Sequence, residues 1–286
     1  MQGPLRARSG PALAVAVLLL GLFAFLTFRS LTLQSITYDE AGHWRYGRQV
    51  LAGDTSRFDD SKMPVAALNA LTGMAAPNAT LDAWQSRLAD PTAARLATLL
   101  AACFLGMIVF AWARALYGPW AGAFSLFLYT FDPNIQAHAQ WVTTDVYAAL
   151  GVTAALFFSW RLVRRPRPLR AVLAGAALGF ALLTKFTCVH LFALLPLLAL
   201  LHGGPDKKRI WAHACLVILP VSLIVLAGGY LGNGWGSPLE TYTFKSGLFQ
   251  TLQKHAGAFG RFPLPFPRHE IPACLKIDAR QFRIAP

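Results

Sequence analysis

Acidic residues are in short supply in this chain: 13 Asp and Glu stand against 26 Lys and Arg in 286 residues, a formal net charge of +13. Such a surplus often marks a nucleic-acid partner. Here the Lys and Arg lie in short groups between apolar runs rather than along one polar face, which excludes nucleic acid. Charge of either sign is scarce, at 14% of residues, with 55% hydrophobic and a mean hydropathy of +0.45. A soluble domain carries about 25% charged residues, and the excess apolar surface needs lipid to cover it. Cysteine is limited to four residues. Cys103, Cys188 and Cys215 fall in apolar runs and Cys274 in the tail, with no C-x-x-C spacing. That excludes a zinc cluster and a disulfide framework and leaves buried membrane thiols. Internal repeats, frequent in transporters, are also missing.

What is present is a series of apolar runs, and a membrane span needs about 20 such residues. The runs cover approximately 11–28, 93–113, 119–131, 140–160, 169–184, 186–202 and 210–231. The fold class expected is therefore all-α integral membrane, with about seven transmembrane helices. The first run follows Arg6 and Arg8 and has no small-x-small cleavage site after it, so it reads as an uncleaved anchor. Short-loop Lys and Arg set orientation. Arg6 and Arg8 place the amino terminus in the cytoplasm. Alternation then places Arg114, the group from Arg161 to Arg170, and Lys207, Lys208 and Arg209 on the same side. The short outer connections carry only Lys185, and among the acids only Asp206 falls on a cytoplasmic connection. The outer face is where polar chemistry is expected.

Residues 29–92 form an extracytoplasmic loop too long for a plain connection, so it is expected to be partly helical. Met63 to Ala76 is apolar but too short to span, and is expected to lie along the interface or re-enter. Asp39 to Leu51 reads as a helix, capped by Asp39 or Thr37 and ended by Gly53. Asp39 and Glu40 point about 100° apart on a helix, so one can face a substrate while the other binds something else. An unpaired carboxylate at a low-dielectric surface can serve as a base near neutral pH; a solvated helix start stabilised by the dipole is the alternative. Lys62, just before Met63-Pro64, is placed to meet a lipid phosphate, or to snorkel to ordinary headgroups.

Asp132-Pro133 reads as the turn that starts the fourth span. On one continuous helix His138 and Asp145 would share a stripe about 10 Å apart along the axis, lining one cavity without touching one ion. Asp145 is expected one to two turns into the bilayer, where a carboxylate costs about 2.5–3.5 kcal/mol at the centre and less near the surface. Lys185 stands on the same side as its candidate partner. Gly175-x-x-x-Gly179 suggests close helix packing. His43, His190, His202, His213, His255 and His269 have no ligand spacing. Asn78-Ala79-Thr80 fits a glycosylation triplet, a pattern frequent by chance, while the Ala/Arg/Leu-rich composition has a bacterial character.

In order and sidedness these elements resemble the membrane-embedded C-type glycosyltransferases, nearest the protein O-mannosyltransferase and aminoarabinose transferase group. The matches are Tyr38-Asp39-Glu40-Ala41; Lys62-Met63-Pro64-Val65; Ala94-Arg95-Leu96 followed by Leu116 to Gly122; and Pro133 to His138 with Thr143-Thr144-Asp145 and Thr184-Lys185-Phe186. The resemblance runs from about residue 11 to 267. It implies inverting transfer of a sugar from a polyprenyl-phosphate donor to an acceptor hydroxyl of a lipid, glycan or protein, on the extracytoplasmic side of a bacterial inner membrane. It makes Asp39 the catalytic base with Glu40 as its acidic neighbour, and gives Lys62, His138, Asp145 and Lys185 to substrate binding. No cofactor is implied with certainty, and a divalent cation is left open. The division expected is a transferase-like membrane domain over 1–231 and an extracytoplasmic tail over 232–286. Val65 departs from the family's usual Pro or Leu. Phe262 to Pro267 still looks family-like, but His269 to Pro286 reads as unrelated, and relatives are longer. The resemblance then implies a shortened chain that lacks part of the donor site and whose activity is in question. The competing class is a transporter or channel subunit with Asp145 and Lys185 on the path.

Overall fold

The computed structural model describes residues 9–54, 62–76, 79–201, 206–231, 238, 247–255, 257 and 261. Arg6, Arg8, Asn78, His202, His269, Cys274 and the stretch from Phe262 to Pro286 lie outside the described residues. All regular structure in the described residues is helical. The chain runs through α1 (Ser9–Leu31), α2 (Glu40–Leu51), α3 (Ala66–Gly73), α4 (Leu81–Gln85), α5 (Thr92–Tyr117), α6 (Pro119–Phe131), α7 (Pro133–His138), α8 (Asp145–Arg164) and α9 (Pro168–Leu182). After a 3₁₀ turn (Phe186–His190) come α10 (Leu191–Leu201), α11 (Lys207–His213), a π segment (Ala214–Ile218), α12 (Leu219–Gly229) and α13 (Gly247–His255).

This is an all-α membrane protein. Among the described residues four helices are long and apolar enough to cross a bilayer: Gly10–Leu31, Thr92–Tyr117, Asp145–Arg164 and Lys207–Gly229. The other three predicted runs are helical but short, with 13 residues in α6, 15 in α9 and 11 in α10. By length alone, four of the seven runs form full spans, and α6, α9 and α10 are shorter than a span. Val17, Leu18, Phe25, Phe124 and Ile224 are more than 60% exposed, the outward apolar surface that lipid would cover.

Small residues set the register of the bundle. On α5 and α6, Gly122 abuts Phe110 and Arg114 while Gly106 abuts Leu126 and Tyr129, an antiparallel pair. Gly151 of α8 meets Ala181 of α9, again antiparallel. Gly175 faces Ile218 and Val221, and Gly179 faces Ser222 and Val225, so α9 and α12 run parallel. A Cβ at Gly179 would lie 2.6 Å from the Ser222 carbonyl oxygen, which shows the close approach expected of this Gly pair. The register sorts the charges. Arg114, the Arg161–Arg170 group and Lys207–Arg209 lie at one end of the bundle. Arg95, Asp145, Lys185 and the α2–α4 segment lie at the other.

The long connection between α1 and α5 is a small folded unit. Ile36, Trp44, Ala70, Trp84, Ala89, Ala94 and Val142 form its core, and the rings of Trp44 and Trp84 stack at 4.9 Å. Gly47 is needed where α2 crosses α3, because a Cβ there would collide with the Ala66 backbone. The helix ends as its sequence indicates. Gly53 has φ +67°, its N–H donates to the Val50 carbonyl, and the Asp54 N–H donates to the Gln49 carbonyl, a Schellman closure. The apolar stretch after Met63 is the eight-residue α3, packed on α2 and α5.

Two expectations are corrected. The fourth apolar run does not form one helix from residue 140. Asp132 caps the short α7, accepting from the Asn134 and Ile135 N–H groups, and the chain turns through Ala139–Thr144 before α8 begins at Asp145. Nor does Asp39 or Thr37 cap α2 with a side-chain oxygen; the Thr37 N–H and hydroxyl instead donate to Glu40 Oε2, at 2.7 and 3.1 Å.

Candidate active site

At the acidic end of the bundle the controlling pair is buried. Arg95, one turn into α5, and Glu40, the first residue of α2, are both 0% exposed. Glu40 Oε1 accepts from Arg95 Nε and the Val142 N–H, both at 2.9 Å. Glu40 Oε2 accepts from Arg95 Nη2 at 2.8 Å as well as from Thr37. The remaining guanidinium N–H groups donate to the carbonyls of Leu31, Gln34 and Ser35, at 2.8, 2.7 and 2.8 Å. All five Arg95 donors are used, and the Glu40 carboxylate is saturated. Burial alone would raise the Glu40 pKa. The hydrogen bonds and charge of Arg95, with the Thr37 and Val142 N–H groups, outweigh it and hold the carboxyl below its ordinary value. This pair is the residue combination that sequence reasoning missed. A single arginine at the head of an otherwise apolar helix was the available signal, because such a charge needs a partner.

Asp39, next to this clamp, is exposed and opens the first turn of α2. Glu40 is thus buried and Asp39 exposed, the split expected of adjacent positions on a helix. Lys62 reaches the same turn. A Cβ placed on Gly42 would lie 3.0 Å from Lys62 Cε and 3.7 Å from its Nζ, and Gly42 follows Asp39 by three positions on one helix face. Among the described residues Lys62 makes no ion pair. Its segment is anchored by buried Met63 and Val65 and by the Val65 N–H, which donates to the Leu183 carbonyl at 3.2 Å.

Asp145, Lys185 and His138 form the second half. Lys185 Nζ donates to Asp145 Oδ1 at 2.5 Å, and His138 Nδ1 lies 3.6 Å from Asp145 Oδ2. The 10 Å separation expected on a continuous helix is therefore overturned. The Ala139–Thr144 turn folds α7 back toward the α8 start, and the two side chains meet. The same break makes Asp145 the first residue of α8. The three side chains are 40–46% exposed. His138 and Asp145 line an open cavity of about 160 Å³ whose other walls include Leu105, Ile135 and Ala149. His138 packs edge-on to Trp141, whose indole N–H donates to Gln34 Oε1 at 3.0 Å.

These contacts close a circuit. Glu40 holds Val142, three residues before Asp145; Asp145 holds Lys185; Leu183, two residues before Lys185, holds Val65; Lys62, three residues before Val65, lies against Gly42 of the Asp39 turn. Every residue singled out from sequence, Asp39, Glu40, Lys62, His138, Asp145 and Lys185, is on it or directly attached. Among the described residues no group of three His, Cys, Asp or Glu side chains is arranged to hold a metal ion.

Residues 88–228 match the family model described as dolichyl-phosphate-mannose-protein mannosyltransferase. The matched stretch contains Arg95, His138, Asp145 and Lys185; Asp39, Glu40 and Lys62 precede it. No curated protein matches the chain.

Proposed function

We propose, from a chain whose residues 88–228 carry the sequence pattern of the dolichyl-phosphate-mannose-protein mannosyltransferase family, that the acidic end of the bundle transfers a sugar from a polyprenyl-phosphate donor to an acceptor hydroxyl with inversion. The match supports reading the protein as a membrane glycosyltransferase of mannosyltransferase-like type. The observation that carries the finer reading is the closed circuit, which puts a lysine without an ion-pair partner among the described residues, Lys62, against the α2 turn that the exposed Asp39 opens.

Asp39 takes the proton of the acceptor hydroxyl as its oxygen attacks the anomeric carbon. The bond from that carbon to the phosphate oxygen breaks, and the polyprenyl phosphate leaves. Charge grows on the phosphate oxygens, where a fixed cation lowers the barrier; Lys62 is that cation. Lys185 is partly neutralised by Asp145, so it suits orienting the substrate more than balancing a full leaving-group charge. His138 and Asp145 line the cavity that receives acceptor or donor. Glu40 is a positioning residue, since its oxygens are saturated and it holds Asp39 at the surface through Arg95. This site faces the extracytoplasmic side of a bacterial inner membrane, with the basic end in the cytoplasm, as the distribution of Lys and Arg favours. The transport reading is less favoured because Asp145 and Lys185 lie at a bundle end, whereas transporter sites cluster near the bilayer midplane.

The test is transfer from a labelled polyprenyl-phosphate sugar in proteoliposomes. Asp39→Asn should lower turnover by about 10²- to 10⁴-fold, the usual contribution of a positioned base, at unchanged thermal stability. Undiminished transfer by Asp39→Asn removes Asp39 from the chemistry.

A further inference from the structure

At the opposite end of the bundle the structure holds a second cavity, about 190 Å³, between α8, α9, α10 and the α11–π segment. Its walls are almost wholly apolar, with Leu162, Phe192 and Trp211 among them. An apolar cavity of about 150 Å³ accepts a ring the size of benzene, so this one admits a stretch of one hydrocarbon chain. The helix opens here for a local reason. Pro220 has no N–H and crowds the carbonyl four residues back; the backbone widens over Ala214–Ile218, where the Leu219 N–H donates to the Ala214 carbonyl. Ala214 and Ile218 of the widened stretch face the cavity.

One polar group on this lining has no partner among the described residues. Ser159 is 6% exposed and lines the cavity, and its Oγ makes no hydrogen bond to any of them. A helical serine normally donates to the carbonyl one turn back, so a free hydroxyl against apolar walls is an orphan donor. The rim supplies the third feature. Arg161 and Arg164 lie within five residues of Ser159, and Lys207, Lys208 and Arg209 immediately precede the wall residues Ile210 and Trp211. All five are exposed and make no ion pair among the described residues. Membrane orientation would place basic residues here in any case. The cavity and the orphan hydroxyl are independent of that rule.

We propose that this cavity binds one acyl chain of an anionic phospholipid, with its phosphate held at the rim by Arg164 and Lys208. Ser159 lies five residues, about 7.5 Å along the axis, beneath Arg164, on the side of the rim toward which a phospholipid's ester carbonyls lie. The hydroxyl donates to such a carbonyl. Basic pockets between helices at a cytoplasmic face are the usual setting for anionic headgroups.

The experiment uses the full chain in phosphatidylcholine nanodiscs containing rising fractions of chain-brominated phosphatidylglycerol. The signal is quenching of Trp211, taken as the difference from Trp211→Phe. Half-maximal quenching should need several-fold less brominated phosphatidylglycerol than brominated phosphatidylcholine. The double variant Arg164→Ala, Lys208→Ala should erase that preference, Ala214→Phe should abolish the specific quenching, and Ser159→Ala should weaken it two- to fivefold. Ser159→Ala keeps the test open if the bulkier change prevents folding. Equal quenching by the two lipids in the unaltered chain overturns the proposal, as does a preference that survives the double variant. Displacement of the brominated lipid by an equimolar polyprenyl phosphate overturns it in favour of that occupant.

Discussion

Replacing Arg95 by Met removes a buried guanidinium and leaves its partners in place. The Glu40 carboxylate, at 0% exposure, loses two of its five hydrogen bonds and the counter-charge that Arg95 supplies, while the carbonyls of Leu31, Gln34 and Ser35 lose their donors. Removing one member of a buried ion pair costs about 3–5 kcal/mol. Whole domains are stable by only about 5–15 kcal/mol, and the loss here falls on the connection that carries Asp39. Hydrogen exchange of residues 32–52 in nanodiscs should therefore accelerate about a hundredfold or more, while α8 and α9 keep their protection. Adding Glu40→Gln should recover part of the loss, because the uncompensated charge is then gone. Unchanged protection over 32–52 in Arg95→Met would refute the view that this pair holds the candidate base in place.

Acid should act on the same pair. Glu40 has a folded pKa below its unfolded value, so its stabilisation is complete above the ordinary glutamate range near 4.5 and is lost only as pH falls through the lower folded value. A pH series of hydrogen exchange should show the 32–52 segment protected at pH 5 and opening well below 4.5, with that transition absent in Glu40→Gln. Lys62→Met should cost about 10²- to 10³-fold in turnover, the effect of removing one stabiliser of transition-state charge, with Lys62→Arg retaining part of it in the proteoliposome assay. The Asp145–Lys185 pair is about two-fifths exposed. Asp145→Asn should then shift stability by at most about 1 kcal/mol and yet depress transfer, a split read by thermal unfolding beside turnover. Gly179→Leu should destabilise the α9–α12 contact and lower the melting temperature without touching the circuit.

Much of this architecture is legible in the chain. Apolar runs locate the helices because a membrane segment must satisfy its backbone internally. Gly53 ends α2, and Asp132 starts a helix, because each supplies a cap that few other residues supply as well. What periodicity misses is set by contacts distant in sequence. Trp141-Val142-Thr143 continues an apolar pattern well enough to pass for helix, but Glu40 draws the Val142 N–H, 102 residues away, and the Gln34 side chain draws Trp141. That break brings His138 to Asp145. The acidic pair was visible as a motif, but the role of Glu40 was not, because it depends on Arg95, 55 residues on.

The central claim is that Asp39 and its neighbours occupy one side of the membrane and the arginine-rich connections the other. With Cys103, Cys188, Cys215 and Cys274 replaced, Tyr38→Cys and Arg165→Cys would be probed in intact cells with a membrane-impermeant thiol reagent. Position 38 should react from outside, and position 165 only after permeabilisation. Labelling of position 165 but not 38 in intact cells, or equal labelling of both, would contradict the account.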